Sequence, residues 1–157
     1  MMRESTSPAR LVMAWLAAVL AAAALGSVVQ SQFNMAAIVS LGVEVTPRQW
    51  ISVTLQDLVG FAPLWAVVVA AALLIAFPVA ALLARRMPEA RMGVYFLAGG
   101  VGVMCALVLM AAVLPVTIVA AARSPLGMAL MALGGAAGGV IFAQLTGTHT
   151  PPHSPEV

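Results

Sequence analysis

Four long stretches of the chain contain no charged residue: 11–29, 61–84, 92–122 and 125–147. A helix of about 20 residues crosses the ~30 Å hydrocarbon core of a bilayer, so each stretch is long enough to span. The sequence therefore predicts an all-α fold, an integral membrane four-helix bundle with spans at about 11–30, 60–84, 92–120 and 125–146. Residues 1–10 form a cytoplasmic N-terminal segment in this prediction, and residues 148–157 a disordered cytoplasmic tail.

The composition excludes most other classes of protein. Hydrophobic residues make up 63% of the 157 residues and charged residues 8%, whereas soluble domains have about 25% charged residues. The net charge of +2 is small and scattered, which argues against a nucleic-acid partner. The bilayer is the expected partner.

The arginines predict an orientation. Cytoplasmic loops of membrane proteins carry an excess of Lys and Arg, and here five arginines fall on one side of the predicted spans and two on the other. We therefore expect a multi-pass membrane protein with both termini in the cytoplasm. All seven basic residues are Arg, and Ala, Val and Gly are abundant, a composition that is typical of high-GC bacterial genomes, so the expected location is the bacterial inner membrane. The arginines of the first group are Arg3, Arg10, Arg85, Arg86 and Arg91; those of the second are Arg48 and Arg123.

The first apolar stretch has two interpretations. Arg3 and Arg10 before an apolar run, with small residues at Ala24 and Gly26, resemble a cleavable signal peptide. The run, however, continues through Val29 and is long enough to span. We expect an anchor helix, with cleavage as the alternative.

The longest connection, 31–56, has the pattern of a helix start. Thr46 suits an N-cap, Pro47 the first helical position and Gln49 the capping-box position. The residues that follow suit a short interfacial helix with Trp50 at headgroup level. Ser124 and Pro125 repeat the cap and proline before the fourth span, and Pro78 and Pro115 predict kinks.

Small residues indicate helix contacts. Gly134, Gly135, Gly138 and Gly139 form two overlapping GxxxG pairs in the fourth span, and glycine permits the close backbone approach on which helix association in lipid depends. The first interpretation is packing within the bundle. The second is a docking face for another copy or another membrane protein.

Polar side chains collect near the outer boundary of the predicted spans. We expect these side chains to lie at one depth in the bilayer, where Asp57 could pair with Arg48 or Arg123. Polar groups near lipid often mark a functional site. Alternatively, Asp57 is a plain N-cap of the second span. The candidate outer polar cluster comprises Ser27, Gln30, Asn34, Gln56, Asp57 and Arg123.

Other chemistry has little support in the sequence. His149 and His153 flank Pro151 and Pro152, which prevent the helix that would bring the two histidines onto one face, and the single cysteine, Cys105, is expected as a small buried residue. No span holds a histidine for haem ligation, or an Asp, Glu, Lys or Arg for proton coupling. We predict no catalytic, cofactor-binding or metal-binding residue, and no enzyme activity.

Three stretches carry a resemblance: GSVVQSQFN (26–34), LQDLVGF (55–61) and FPVAALLAR (77–85). With them, the chain resembles small four-span inner-membrane proteins of proteobacteria that have no assigned function. The resemblance implies neither an activity nor site residues.

Two functions remain open from the sequence. The first is a non-enzymatic accessory or assembly subunit of an inner-membrane complex, or a homo-oligomer, built on the glycine face. The alternative is a small transporter or channel for a neutral or lipid-like solute, which would use the outer polar cluster and the proline kinks.

Overall fold

The computed structural model describes residues 7–113 and 119–147. In this part of the chain four long helices follow one another: α1 (Pro8–Ser40), α2 (Pro47–Arg86), α3 (Arg91–Val113) and α4 (Pro125–Thr146). Two short 3-10 helices, Pro88–Ala90 and Ala120–Arg123, precede α3 and α4. All four long helices are long and apolar enough to cross a membrane, so the all-α fold with four candidate spans is confirmed.

Side-chain caps start three of these helices. The hydroxyl of Ser7 accepts from the backbone N–H of Arg10, and Ser124 caps α4 in the same way through Gly127. Thr46 and Gln49 form the reciprocal capping box predicted for α2, which satisfies backbone N–H groups that have no partner within the helix. The predicted starts at Thr46 and Ser124 are therefore confirmed.

The helix ends of α1 and α2 differ from the sequence prediction. α1 continues to Ser40, with Leu41 as its C-cap. Gly42 follows with a φ of +82°, the left-handed conformation that glycine adopts readily. The segment after Thr46 is helical, but it forms the first turns of α2 instead of a separate short helix. α2 continues through Pro63 and Pro78. Pro115 and the tail histidines lie outside the described residues.

The first two helices are longer than the last two. At 1.5 Å per residue, α1 with 33 residues and α2 with 40 residues extend about 50 and 60 Å. α3 with 23 residues and α4 with 22 extend about 35 Å. The third predicted span reached residue 120, whereas Val119 is extended and Ala120 belongs to a 3-10 helix. α1 and α2 consequently project as a helical hairpin beyond the paired ends of α3 and α4.

The four helices pack in cyclic order, each antiparallel to its two neighbours. α4 contacts α1 and α3, and α2 contacts the same two helices from the opposite side. α4 is the most buried of the four by this packing, and α3 is the least buried. The core includes inward-facing residues of α2 at intervals of three and four: Trp65, Val69, Leu73, Phe77, Ala80 and Ala84.

Candidate functional site

The polar residues near the α1–α2 hairpin join three parts of the chain. The Ser31 hydroxyl donates to the Asp57 carboxylate at 2.6 Å and also lies 3.0 Å from the carbonyl oxygen of Ser27. Ser27 and Ser31 are fully buried. The structure thus gives Asp57 a hydroxyl donor on α1. The N-cap interpretation of Asp57 is wrong, because α2 begins ten residues earlier, at Pro47.

Gln30 anchors the connection before α4. Its side-chain oxygen accepts from the backbone N–H of Ala121 at 3.0 Å, and both residues are buried. This bond satisfies a backbone donor in the 3-10 helix Ala120–Arg123 and fixes that helix against α1.

The remaining members of the predicted cluster lie at its margin. Arg123, Asn34 and Gln56 are exposed. The Gln56 amide donates to the Ser52 hydroxyl at 3.2 Å, within α2. The structure therefore brings Ser27 and Asp57 together through Ser31 and attaches Gln30 to the segment before α4.

We term Ser27, Gln30, Ser31 and Asp57 the polar layer, and its hydrogen bonds attach helices to one another. Its bonds connect α1 to α2 and to the segment before α4. Within the described ranges no three His, Cys, Asp or Glu residues form a group that could hold a metal ion. The Ser27 hydroxyl has no hydrogen-bond partner among the described residues.

The four glycines of α4 divide between two helices. A Cβ on Gly138 would lie 2.7 Å from the carbonyl oxygen of Ala18 in α1, and Gly134 faces the same helix. A Cβ on Gly135 or Gly139 would collide with backbone oxygens of α3, those of Gly99 and Tyr95. All four are buried. The structure therefore uses both GxxxG pairs for packing inside the bundle, and the glycines offer no exposed face.

Two arginines hold the C-terminal end of α4, a feature that the sequence analysis missed. Arg91, at the start of α3, donates to the carbonyl oxygen of Ala143 and to the hydroxyl of Thr146. Arg10, in the first turn of α1, donates to the carbonyl oxygens of Leu145 at 2.7 Å and of Gly147 at 3.2 Å. The last carbonyls of a helix lack partners and carry partial negative charge, so neighbouring helices supply the cations.

A signal for this arrangement is present in the sequence. α4 has no basic residue in its last turn, while the antiparallel neighbours α1 and α3 carry Arg10 and Arg91 in their first turns. Beside these arginines, Phe77, Tyr95 and Phe142 form an aromatic cluster with ring centroids 4.4 to 5.6 Å apart. The Arg91 guanidinium lies 5.1 Å from the centre of the Tyr95 ring.

A groove separates α2 and α3 on the outer surface of the bundle. It has a volume of about 890 Å³ and an almost entirely apolar lining. Small residues form its floor and larger exposed side chains, such as Ile75 and Leu97, its walls. Cys105 lines this groove and is exposed, so the expectation that Cys105 is buried is wrong.

The projecting hairpin also exposes apolar side chains. Ile51, Leu55 and Val59 follow one another at intervals of four along α2 and form what we term the hairpin stripe. Their exposed fractions are 64, 58 and 79%. At the tip of the hairpin, Leu41 is 82% exposed.

These observations define the class of the protein: over residues 7–113 and 119–147 it is all-α, with four helices that are long and apolar enough to cross a membrane. No protein-family model matches the chain, and no match was found among curated proteins or solved structures.

Proposed function

We propose that this chain is a non-enzymatic, multi-pass protein of the bacterial inner membrane that serves as an accessory or assembly subunit. In this proposal the hairpin stripe contacts its partner, either another membrane protein or a second copy of the chain. The observation that carries the proposal is the exposure of the stripe on a hairpin longer than the bilayer requires.

The position of the hairpin stripe relative to the hydrocarbon core supports this assignment. The uncharged run of α2 starts at residue 58, directly after Asp57, and its last 24 residues, 61–84, already exceed the ~30 Å core at 1.5 Å per residue. Ile51 lies about 9 Å beyond Asp57 along α2. Contiguous apolar surface outside the hydrocarbon region is characteristic of interaction sites. Burial of the hairpin stripe against a partner protein is therefore favourable.

The use of the polar groups supports a non-enzymatic role. Ser31, Asp57 and Gln30 attach helices to one another, and Arg10 and Arg91 cap α4. Each therefore has a structural partner already.

The arginine distribution supports the proposed orientation. The contacts of Arg10 and Arg91 with α4 put both at one end of the bundle, the end that also carries Arg85 and Arg86. By the positive-inside rule this end is cytoplasmic. The hairpin then projects on the outer side of the membrane.

Native mass spectrometry of tagged protein extracted from its own membrane in a mild detergent tests the proposal. We expect a stoichiometric partner that is lost from the Ile51→Ser/Leu55→Ser variant. The control is Ala36→Ser, an exposed position on α1 in the same hairpin. A second protein in the spectrum identifies an accessory subunit, and a dimer identifies a homo-oligomer. A monomer in the wild type, or a complex that survives the stripe variant, contradicts the proposal.

One observation favours the alternative of a transporter for a lipid-like solute. The groove between α2 and α3 is apolar along its whole length and opens to the side, as a path for an acyl chain would. This alternative predicts faster exchange of fluorescent phospholipid between leaflets of vesicles that contain the protein. Exchange equal to that of protein-free vesicles contradicts it.

A further inference from the structure

The groove between α2 and α3 extends over most of the apolar part of these helices. It runs from Val67 to Leu83 on α2, about 24 Å at 1.5 Å per residue, and from Val94 to Met110 on α3. The hydrocarbon core is ~30 Å thick. One leaflet accounts for half of this thickness, so the groove runs in the direction of a lipid acyl chain beside a transmembrane helix and is long enough to hold one.

The floor of the groove is made by small residues. Ala72, Ala76 and Ala80 on α2 face Ala98, Gly102 and Ala106 on α3. A Cβ on Gly102 would lie 3.1 Å from the Cβ of Ala76, so the two backbones are already close there. The groove is a depression between touching helices, and its lining offers dispersion contacts and almost no polar surface.

Two arginines lie beyond the Leu83 end of the groove. Arg85 and Arg86 follow Leu83 after a single residue, Ala84, and are both exposed. Neither makes a hydrogen bond or an ion pair with the described residues. Arg91, nearby in sequence, already donates its hydrogen bonds to α4. Glu89 is exposed in the same connection and forms no ion pair with either arginine within the described ranges.

We propose that this groove binds an anionic phospholipid, with an acyl chain along α2 and α3 and its phosphate against Arg85 and Arg86. Arginine recognises phosphate through paired N–H donors, and basic sites between membrane helices attract anionic headgroups. The site is independent of the hairpin stripe, and its existence does not depend on the accessory-subunit proposal.

The same charges disfavour a second copy of the chain in this groove. Copies in one membrane with one orientation are related by an axis normal to the bilayer, so a two-fold contact through this face would bring both Arg85–Arg86 pairs to one depth. Like charges at short range repel. An anionic lipid neutralises these arginines instead.

Native mass spectrometry in a mild detergent, with phosphatidylglycerol and phosphatidylcholine of identical acyl chains, tests the inference. We expect wild-type protein to retain phosphatidylglycerol several-fold more than phosphatidylcholine. The Arg85→Gln/Arg86→Gln variant should lose this preference and Arg85→Lys/Arg86→Lys should keep part of it. Arg48→Gln, an exposed arginine at the opposite end of the bundle, is the charge control.

A second pair of variants tests the groove itself. Ala72→Leu/Ala98→Leu fills the floor and should lower retention of both lipids. Ala24→Leu, an exposed position on α1 outside the groove, should not. Equal retention of the two lipids by wild type overturns the inference. So does an effect of the Arg85 and Arg86 changes no larger than that of Arg48→Gln, or a dimer that Ala72→Leu/Ala98→Leu dissociates without change in lipid retention.

Discussion

The guanidinium of Arg91 donates a hydrogen bond to the carbonyl oxygen of Ala143, 52 positions later in the chain. This bond joins the first turn of α3 to the last turns of α4. The arginine that the positive-inside rule counts as a topology signal therefore also stabilises the bundle. Arg10 does the same from α1.

Replacement of Arg91 by Ala should destabilise the bundle by about 1–3 kcal/mol, because the buried carbonyl oxygen of Ala143 and the hydroxyl of Thr146 lose a charged donor. Arg91→Lys should retain part of the stability that Arg91→Ala loses, since a lysine lacks the planar guanidinium that reaches both Ala143 and Thr146. The measurement is the free energy of unfolding in mixed micelles titrated with SDS. Arg86→Ala removes a charge without a hydrogen bond and is the control. Equal effects of Arg91→Ala and Arg86→Ala would contradict the structural role.

Alanine at the glycines of α4 should have graded effects. Gly135→Ala and Gly139→Ala place a methyl group against backbone oxygens of α3 that cannot move independently, so each should cost about 1–3 kcal/mol. Gly134→Ala should cost less, because its nearest neighbour would be the Cβ of Leu25 at 3.4 Å. The same SDS titration measures the series.

Gly93 supplies the control for the glycine series. A Cβ there meets no atom within 4 Å. Gly93→Ala should therefore stabilise α3 by about 0.5–1 kcal/mol through helix propensity alone. If all glycine variants behaved like Gly93→Ala, the close helix contacts described for α4 would be wrong.

The two buried serines of α1 should respond differently to alanine. Ser31→Ala removes the hydroxyl that donates to Asp57 and should destabilise by about 1–3 kcal/mol. Ser27→Ala removes a buried hydroxyl without a partner among the described residues and should be neutral or stabilising. A double-mutant cycle of Ser31→Ala with Asp57→Ala isolates the pair, because each change removes one partner of the bond. Coupling near zero would show that the contact carries no stability.

The proposed orientation predicts which cysteines a membrane-impermeant maleimide reaches. In a Cys105→Ala background, Glu44→Cys in the hairpin connection should react in intact cells. Glu89→Cys, in the connection before α3, should react only after the membrane is permeabilised. Both positions are exposed. The reverse pattern would place the termini on the outer side.

Local sequence chemistry was sufficient to predict the helices and several of their ends. The uncharged runs predicted four apolar helices, because charge is excluded from the bilayer core. Thr46 with Gln49, and Ser124 with Pro125, predicted helix starts because caps depend on residues three or four apart. The grouping of Ser27, Gln30 and Asp57 at one level of the bilayer stays a prediction, and the structure adds Ser31 on α1 as the donor to Asp57.

Only the tertiary structure decided which face of each helix lies inside. In a soluble protein the polar face of a helix marks the exterior, but lipid is as apolar as the core, so the sequence of a span carries little such signal. Cys105, expected inside, therefore lines an exposed groove. Gly134 and Gly135 are adjacent in the chain, yet they pack against different helices. The contact of Arg91 with Ala143 likewise depends on α3 and α4 lying antiparallel, which no local pattern specifies.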